Sequence, residues 1–501
     1  MTENLRIDCD VAIAGGGAGG SPVAALLAEA GLEVVLLEEG GIHGPTDFDG
    51  RPANMMRRLY RDAGQSWILG PPPIWIPQPR TFGGSTVVGS GMSCRPESRK
   101  LDEWRNRWDL KSISEERLNP YLSVVEKDLG AGRTPESRWG PHDLRLAQGA
   151  VQAGFSVEAW ERFAPECRGC GVCAFGCPSG GKRTAQETYL ARADRVGDRL
   201  YADARVDGVF PESGGQLELR GVFLRRYTAK AVRSLRVRAK AVVLSAGAFG
   251  TPRILRRSAL PAGGLKPGQR FTLHPAVGLL AVFDEPLKAW NGIPQSIRLR
   301  QEADPRLWAA GFFAPPEMIA QLSPGAGYDL KSRMADYPKM GGYVVHIEEQ
   351  NSGGEILESS SGGEQIRYRL DSSDIGRMKK GLISLVEALA RGGARKIQLG
   401  SNRARPLDPL AAREAIDDSD ASEWLLGGFH PTGTCPMGSR PAEGTVDADG
   451  RVWGVENLYI SDASVFPSAP GVPPQLTVMA FAHRLANHLL NDRRDALGGR
   501  K

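Results

Sequence analysis

The sequence predicts an α/β fold built around a dinucleotide-binding unit, on three observations. A buried strand, a glycine-rich turn, a helix and a second strand follow one another between Val11 and Glu38. Far downstream, the apolar run Ala241–Leu244 leads into SAGAFGTP and a helix over Arg253–Ser258, a second strand-to-helix turn. Elsewhere, alternating β-rich stretches and helical periodicities share the chain, so neither class of element dominates.

The first unit reads VAIAGGGAGGSPVAALLAEAG, with a strand over Val11–Ala14 and a turn Gly15-x-Gly17-x-x-Gly20 containing Ala18. Gly15 suits the tight turn, Gly17 the approach of a pyrophosphate to the backbone, and Gly20 close packing of helix on strand. The helix N-terminus then offers free N–H groups and partial positive charge to phosphate. A second strand over Val34–Leu37 ends in Glu38, 18 residues past Gly20, where a ribose-binding carboxylate is expected.

The chain of 501 residues is 41% hydrophobic and 24% charged, ordinary for a globular protein with a substantial core. Its net charge of +5 comes from dispersed arginines, which argues against a nucleic-acid groove. No apolar run reaches the roughly 18 residues a membrane span needs. The first residues show no signal-peptide core, so a cytoplasmic location is expected. Cys9, Cys94 and Cys435 stand alone, whereas Cys167, Cys170, Cys173 and Cys177 cluster, which argues against a disulfide framework.

Beyond Glu38, the proline- and tryptophan-rich GQSWILGPPPIWIPQPR predicts an extended or looped passage. RTFGGSTVVGSG, from Arg80, reads as a loop entering a short helix with Ser85 and Thr86 as cap candidates. Helical periodicity covers Leu101–Leu129, and strands are expected over Arg205–Phe210, Leu217–Leu224 and Ser234–Val237. Residues 271–368 read as short strands and loops, followed by helices over Ile375–Ala394 and Leu410–Leu426. A strand at Leu458–Ile460 and a closing helix at Leu476–Leu490 complete the pattern.

On several ordered motifs the sequence resembles the glucose–methanol–choline (GMC) flavin oxidoreductase family over nearly its whole length. These are the fingerprint with Glu38, Arg80-Thr-Phe-Gly83-Gly84-Ser85-Thr86, Gly247-Ala-Phe-Gly-Thr-Pro252, His430-Pro-Thr-Gly433, and Leu458-Tyr-Ile-Ser-Asp462-Ala463. The resemblance implies an FAD-binding Rossmann-type domain in discontinuous segments with an inserted α+β substrate domain. The expected boundaries are FAD-binding parts at 1–98, 161–270 and 425–501, a linking substrate segment at 99–160, and a substrate domain at 271–424. It implies FAD contacts from Gly83, Gly84, Ser85, Thr86, Val206 (whose backbone would meet the adenine), Asp462, Ala463 and Pro474.

The resemblance further implies oxidation of a CH–OH group of a small-molecule alcohol or sugar by hydride transfer to flavin, with His430 as base. Imidazole suits that task because its ordinary pKa lies near neutrality. His274 and His346 lie in β-rich segments and read as structural or substrate-facing. Two positions depart from the family pattern: Pro473 stands where a second His or Asn is expected, and Gly89 where an Asn is expected. Gln475, Ser90 and Ser93 are candidates to replace them. The alternatives are a flavin-containing lyase or isomerase without net redox turnover, and an O2-dependent alcohol oxidase. The segment Trp290–Phe313, with Arg298, Arg300 and Arg306, is expected to cap the substrate.

Cys167-x2-Cys170-x2-Cys173-x3-Cys177-Pro178 has the spacing of a bacterial ferredoxin cluster loop. An iron–sulfur cluster, [4Fe–4S] or [3Fe–4S], is the expectation, with zinc or structural cysteines as alternatives. A cluster would pass electrons singly to an electron-acceptor protein.

Overall fold

The computed structural model describes residues 4–228, 230–261, 263–323, 325–358, 364–401, 405–492 and 497. Two sheets organise them. In the first, Leu5–Ala14 lies between Val34–Leu37 and Ala231–Leu244, both parallel to it, and Arg199–Tyr201 extends the parallel set beyond Val34–Leu37. Leu458–Ile460 pairs in parallel with Val242–Leu244. Leu217–Leu224 and Ala204–Pro211 continue as an antiparallel meander on Ala231–Ala239.

Both faces of this sheet are covered, as a parallel sheet requires. Val11 and Ile13 pack with Val23, Leu27, Leu485 and Leu489 from the first and last helices. Ala12 and Ala14 belong to the opposite core, with Trp104, Leu118 and Leu122. That face explains why 98–128 forms two helices, Ser98–Arg107 and Glu115–Asp128, rather than one. The chain turns between the helices at Asp109, which has φ +50°, so that Trp104 and Leu118 both enter one core, and Ser114 caps the second helix by accepting from Arg117 N–H at 3.3 Å.

The second sheet runs Trp67–Ile68, Ile74–Trp75, Leu426–Gly428, Pro275–Phe283, Met340–Ile347, Asp304–Phe312, Ile297–Gln301, Ser156–Ala159, with Ala394–Leu399 also on Pro275–Phe283. Its side chains alternate with the period of two. Val277, Leu279, Leu307, Ala309, Val345 and Ile347 pack against Met378, Leu382 and Leu385 of the helix Ser372–Arg391. The other face carries Ala276, Trp308, Val344 and His346.

The expected boundaries shift accordingly. Segment 99–160 divides, its helices joining the nucleotide sheet's core and its last strand joining the second sheet. Trp67–Trp75 and Leu426–Gly428, placed with the FAD-binding parts, belong to the second sheet. The helix expected over Leu410–Leu426 stops at Asp418, because Leu426 is drawn into pairing with Val277. No helix among the described residues is long and apolar enough to cross a membrane.

Candidate active site

A cavity of about 590 Å³ runs from the glycine turn of the first sheet to the free face of the second. Gly15, Gly17, Ala18, Glu38, Gly84, Ser85, Val206, Asp462, Ala463, Pro473, Pro474, Gln475 and His430 all line it. Gly20, Gly83 and Thr86 do not. A Cβ on Gly20 would lie 2.0 Å from Gly15 O, so this glycine seats the helix against the turn. Thr86 is consumed internally: its hydroxyl donates to Gly83 O at 2.7 Å and accepts from Ala185 N–H at 2.9 Å. Neither Ser85 nor Thr86 caps the short helix Ser85–Val88, whose N-cap is Gly84.

The nucleotide end is a backbone cradle. Gly84 has φ +58°, and a Cβ there would come within 2.8 Å of Gly17 Cα, so two side-chain-free segments pack directly against each other in the cavity wall. Glu38 accepts from Gly16 N–H at 2.9 Å and Gly40 N–H at 2.7 Å. Burial pushes its carboxyl up to about 7 against the pull of those two donors. The Asp462 carboxylate is spent on protein groups. It accepts from Gly247 N–H at 2.9 Å, Thr251 Oγ1 at 2.6 Å and Ser464 N–H at 2.8 Å.

The other end is built from histidines. Thr272 and Thr432 exchange backbone hydrogen bonds, bringing His274 beside His430. His274 Nδ1 and His430 Nδ1 are 3.2 Å apart, and His274 Nε2 accepts from Gly471 N–H at 2.9 Å. His274 has φ +51°, a left-handed conformation uncommon for a residue with a side chain. It is held there by Glu349, which accepts from Leu273 N–H at 2.6 Å and His274 N–H at 3.1 Å. His346 lies opposite Ala276 and Trp308 in the sheet register, its ring stacked on Trp308 at 3.9 Å between centroids. It sits 5.9 Å from the His430 ring, and its Nδ1 is enclosed without a partner. Burial pushes His430 down to about 4 and His274 and His346 well below the usual range, so all three rings are neutral near pH 7.

Pro473 reaches the cavity without a donor, while the Gln475 amide nitrogen is buried there without a partner. Ser90 donates to Gln295 at 2.6 Å in the cavity wall, and Ser93 lies outside the lining. Around the histidines the wall is apolar, with Trp308, Phe312, Phe313, Met318 and Val344. The expected cap arginines do not contribute. Arg298 binds Glu158 at 2.5 Å and Arg300 binds Glu97 at 2.7 Å. Arg306 stands 3.8 Å from Glu348, outside the cavity lining.

Two family models match the chain, the N-terminal and C-terminal GMC oxidoreductase models, over residues 56–276 and 359–482. The chain belongs to the GMC oxidoreductase family. An uncharacterised GMC-type oxidoreductase of Mycobacterium tuberculosis is 34% identical over 95% of this chain and 75% of its own length. A long-chain-alcohol oxidase of Arabidopsis thaliana is 26% identical over 97% of this chain and 68% of its own length. Two solved structures share the fold. Formate oxidase of Aspergillus oryzae has TM-score 0.73 at 18% identity, covering 99% of this chain and 100% of its own. Pyridoxine 4-oxidase from Mesorbium loti has TM-score 0.70 at 19% identity, covering 96% and 99%. Membership in this oxidoreductase family and the cradle together support FAD as the dinucleotide.

The cysteine run does not fit the expected cluster. Among the described residues no group of three or more His, Cys, Asp or Glu side chains is arranged to hold a metal ion. The buried Arg162 guanidinium lies between two of the sulfurs, 3.6 Å from Cys167 Sγ and 3.5 Å from Cys173 Sγ. Arg162 also donates to Ser90 O at 2.7 Å, and Lys182 Nζ to Val87 O at 2.6 Å and Gly89 O at 2.7 Å. The loop is thereby tied to the cavity wall at 87–90. The cysteine spacing alone could not reveal that a guanidinium five residues upstream of Cys167 enters among the thiols.

Proposed function

We propose that this protein oxidises the CH–OH group of an apolar primary alcohol, with the alcohol held between the second sheet and the flavin end of the cradle. One observation carries the reading: neutral imidazoles stand in an apolar pocket at the far end of a cavity whose near end is a dinucleotide cradle. The cradle residues would hold FAD, with Gly15, Gly17 and Gly84 beside the phosphates and Glu38 beside the ribose. Bound FAD supplies the hydride acceptor for the C–H bond. The protein supplies the rest. Trp308, Phe312, Phe313 and Val344 exclude water and take the alcohol's carbon chain, while His430 and His346 address its hydroxyl.

Relatives named long-chain-alcohol oxidases support an alcohol with an apolar body. The same names support dioxygen as electron acceptor, and the cysteine run offers no argument for one-electron exit. Mixing the purified flavoprotein with aliphatic and aromatic primary alcohols without oxygen is expected to bleach the flavin, with peroxide formed when air is admitted. A flavin that stays oxidised with every alcohol, while the substrate is still converted, would replace this reading with a lyase or isomerase.

A further inference from the structure

The hydrogen-bond chain behind His430 has a definite direction. Gly471 N–H can only donate, so His274 Nε2 accepts. A neutral His274 then carries its single proton on Nδ1 and donates it to His430 Nδ1. That leaves His430 with its proton on Nε2, the nitrogen not engaged by protein. A ring in this state offers the cavity a donor, with no lone pair there to accept a proton. The loop and the strained His274 hold the arrangement from outside the cavity. Gly471 has φ +77°, with Glu348 against it, and Glu348 is paired to Arg99 at 2.6 Å and Lys100 at 2.5 Å.

His346 has the complementary properties. It projects from the cavity face of the second sheet, 3% exposed, stacked on Trp308 and beside the His274 backbone, with its Nδ1 left without a partner. Its ring is inclined only 28° to that of His430, and the ring centres are 5.9 Å apart. Both rings belong to the lining of the same cavity. One small polar group of a substrate in that cavity therefore has both rings as neighbours.

We infer that His346 is the proton acceptor of the proposed oxidation, and that His430, oriented by His274, donates a hydrogen bond to the same oxygen. This rests on the alcohol-oxidation reading above. The alcohol O–H bond breaks with its proton passing to the His346 lone pair. The C–H electron pair leaves with hydrogen as the hydride described above. The new C=O oxygen keeps the His430 N–H bond, and the imidazolium of His346 returns its proton to solvent after product leaves. His346 and His430 together thus give the oxygen two polar partners without a side chain at Pro473.

Two measurements test this. In the wild-type flavoprotein with 15N-labelled histidine, NMR is expected to show His430 protonated on Nε2 and His274 on Nδ1. Finding the proton on His430 Nδ1 would overturn the proposal whether or not any alcohol is oxidised. In rapid-mixing experiments with an alcohol that bleaches the flavin, His346→Ala is expected to slow bleaching by 10²–10⁴-fold, with recovery on adding free imidazole. His430→Gln, which keeps an N–H donor, is expected to lose less. Full activity of His346→Ala, or imidazole rescue of His430→Ala in its place, would assign the base to His430. If no alcohol bleaches the wild-type flavin, the functional reading fails separately, and the NMR result still decides the proton arrangement.

Discussion

The two ends of the cavity are built on opposite plans. At the nucleotide end, the lining comes from neighbours in sequence: Gly15, Gly17 and Ala18 in one turn, and Gly84 and Ser85 in another. At the reacting end, His274, His346, His430 and Gly471 come from four separate stretches and meet only because strands of the second sheet and the loop at Gly471 converge. A motif that acts through its own backbone is compact in sequence. A proton-handling site needs side chains aimed from several directions, so its members scatter.

Substitutions should separate the two ends, the largest effect first. Gly20→Val places a branched side chain where even a Cβ meets Gly15 O at 2.0 Å. It is expected to cost more than about 4 kcal/mol and to abolish flavin content, read by absorbance of the purified protein. At the other end, His430→Ala should lower anaerobic flavin reduction by about 10²-fold or more while flavin content stays at the wild-type level. Loss of flavin from that variant would show that the ends are not separable.

The pH dependence sharpens the comparison. Glu38 at one end and Glu349 at the other are both raised by burial to about 7. A folded-state pKa above the unfolded value means the folded protein binds the proton more tightly. The resulting stability is present in acid and is lost as pH rises between about 4.5 and 7, by up to about 3 kcal/mol per group. Thermal unfolding of flavin-free protein across that range should show the decline. Glu38→Gln should flatten part of it, whereas an unchanged slope would remove Glu38 as its source.

Smaller effects complete the series. Anaerobically purified protein is expected to hold no stoichiometric iron or acid-labile sulfide, because Arg162 lies between Cys167 and Cys173. Stoichiometric iron would mean that the loop rearranges around a cluster. Arg298→Ala, which breaks a contact with Glu158 outside the cavity, should change kcat/KM less than about threefold. A larger loss would bring the cap arginines back into substrate binding.

The legible parts of this protein were those written in local periodicity. The strands at Val34–Leu37 and Leu458–Ile460 and the helix after Gly20 stand where they are expected, while the one expected at Val11–Ala14 is the end of a longer strand, Leu5–Ala14. His430 and Gln475 were found through motifs, and both line the cavity. His346 was read as structural or substrate-facing, yet a signal was present. In Tyr343-Val-Val-His-Ile347 the alternate residues Tyr343, Val345 and Ile347 face the helix-covered core, which puts His346 on the opposite face.

The sequence by itself determined the dinucleotide cradle, since glycines at fixed spacing between a strand and a helix dictate backbone shape within one turn. Only the tertiary structure decided which histidine carries which proton. That depends on Gly471 N–H, on the strained backbone at His274 and on a strand register that sets His346 against Trp308. Hydrogen-bond direction is a property of partners, and these partners come from stretches of the chain far apart in sequence.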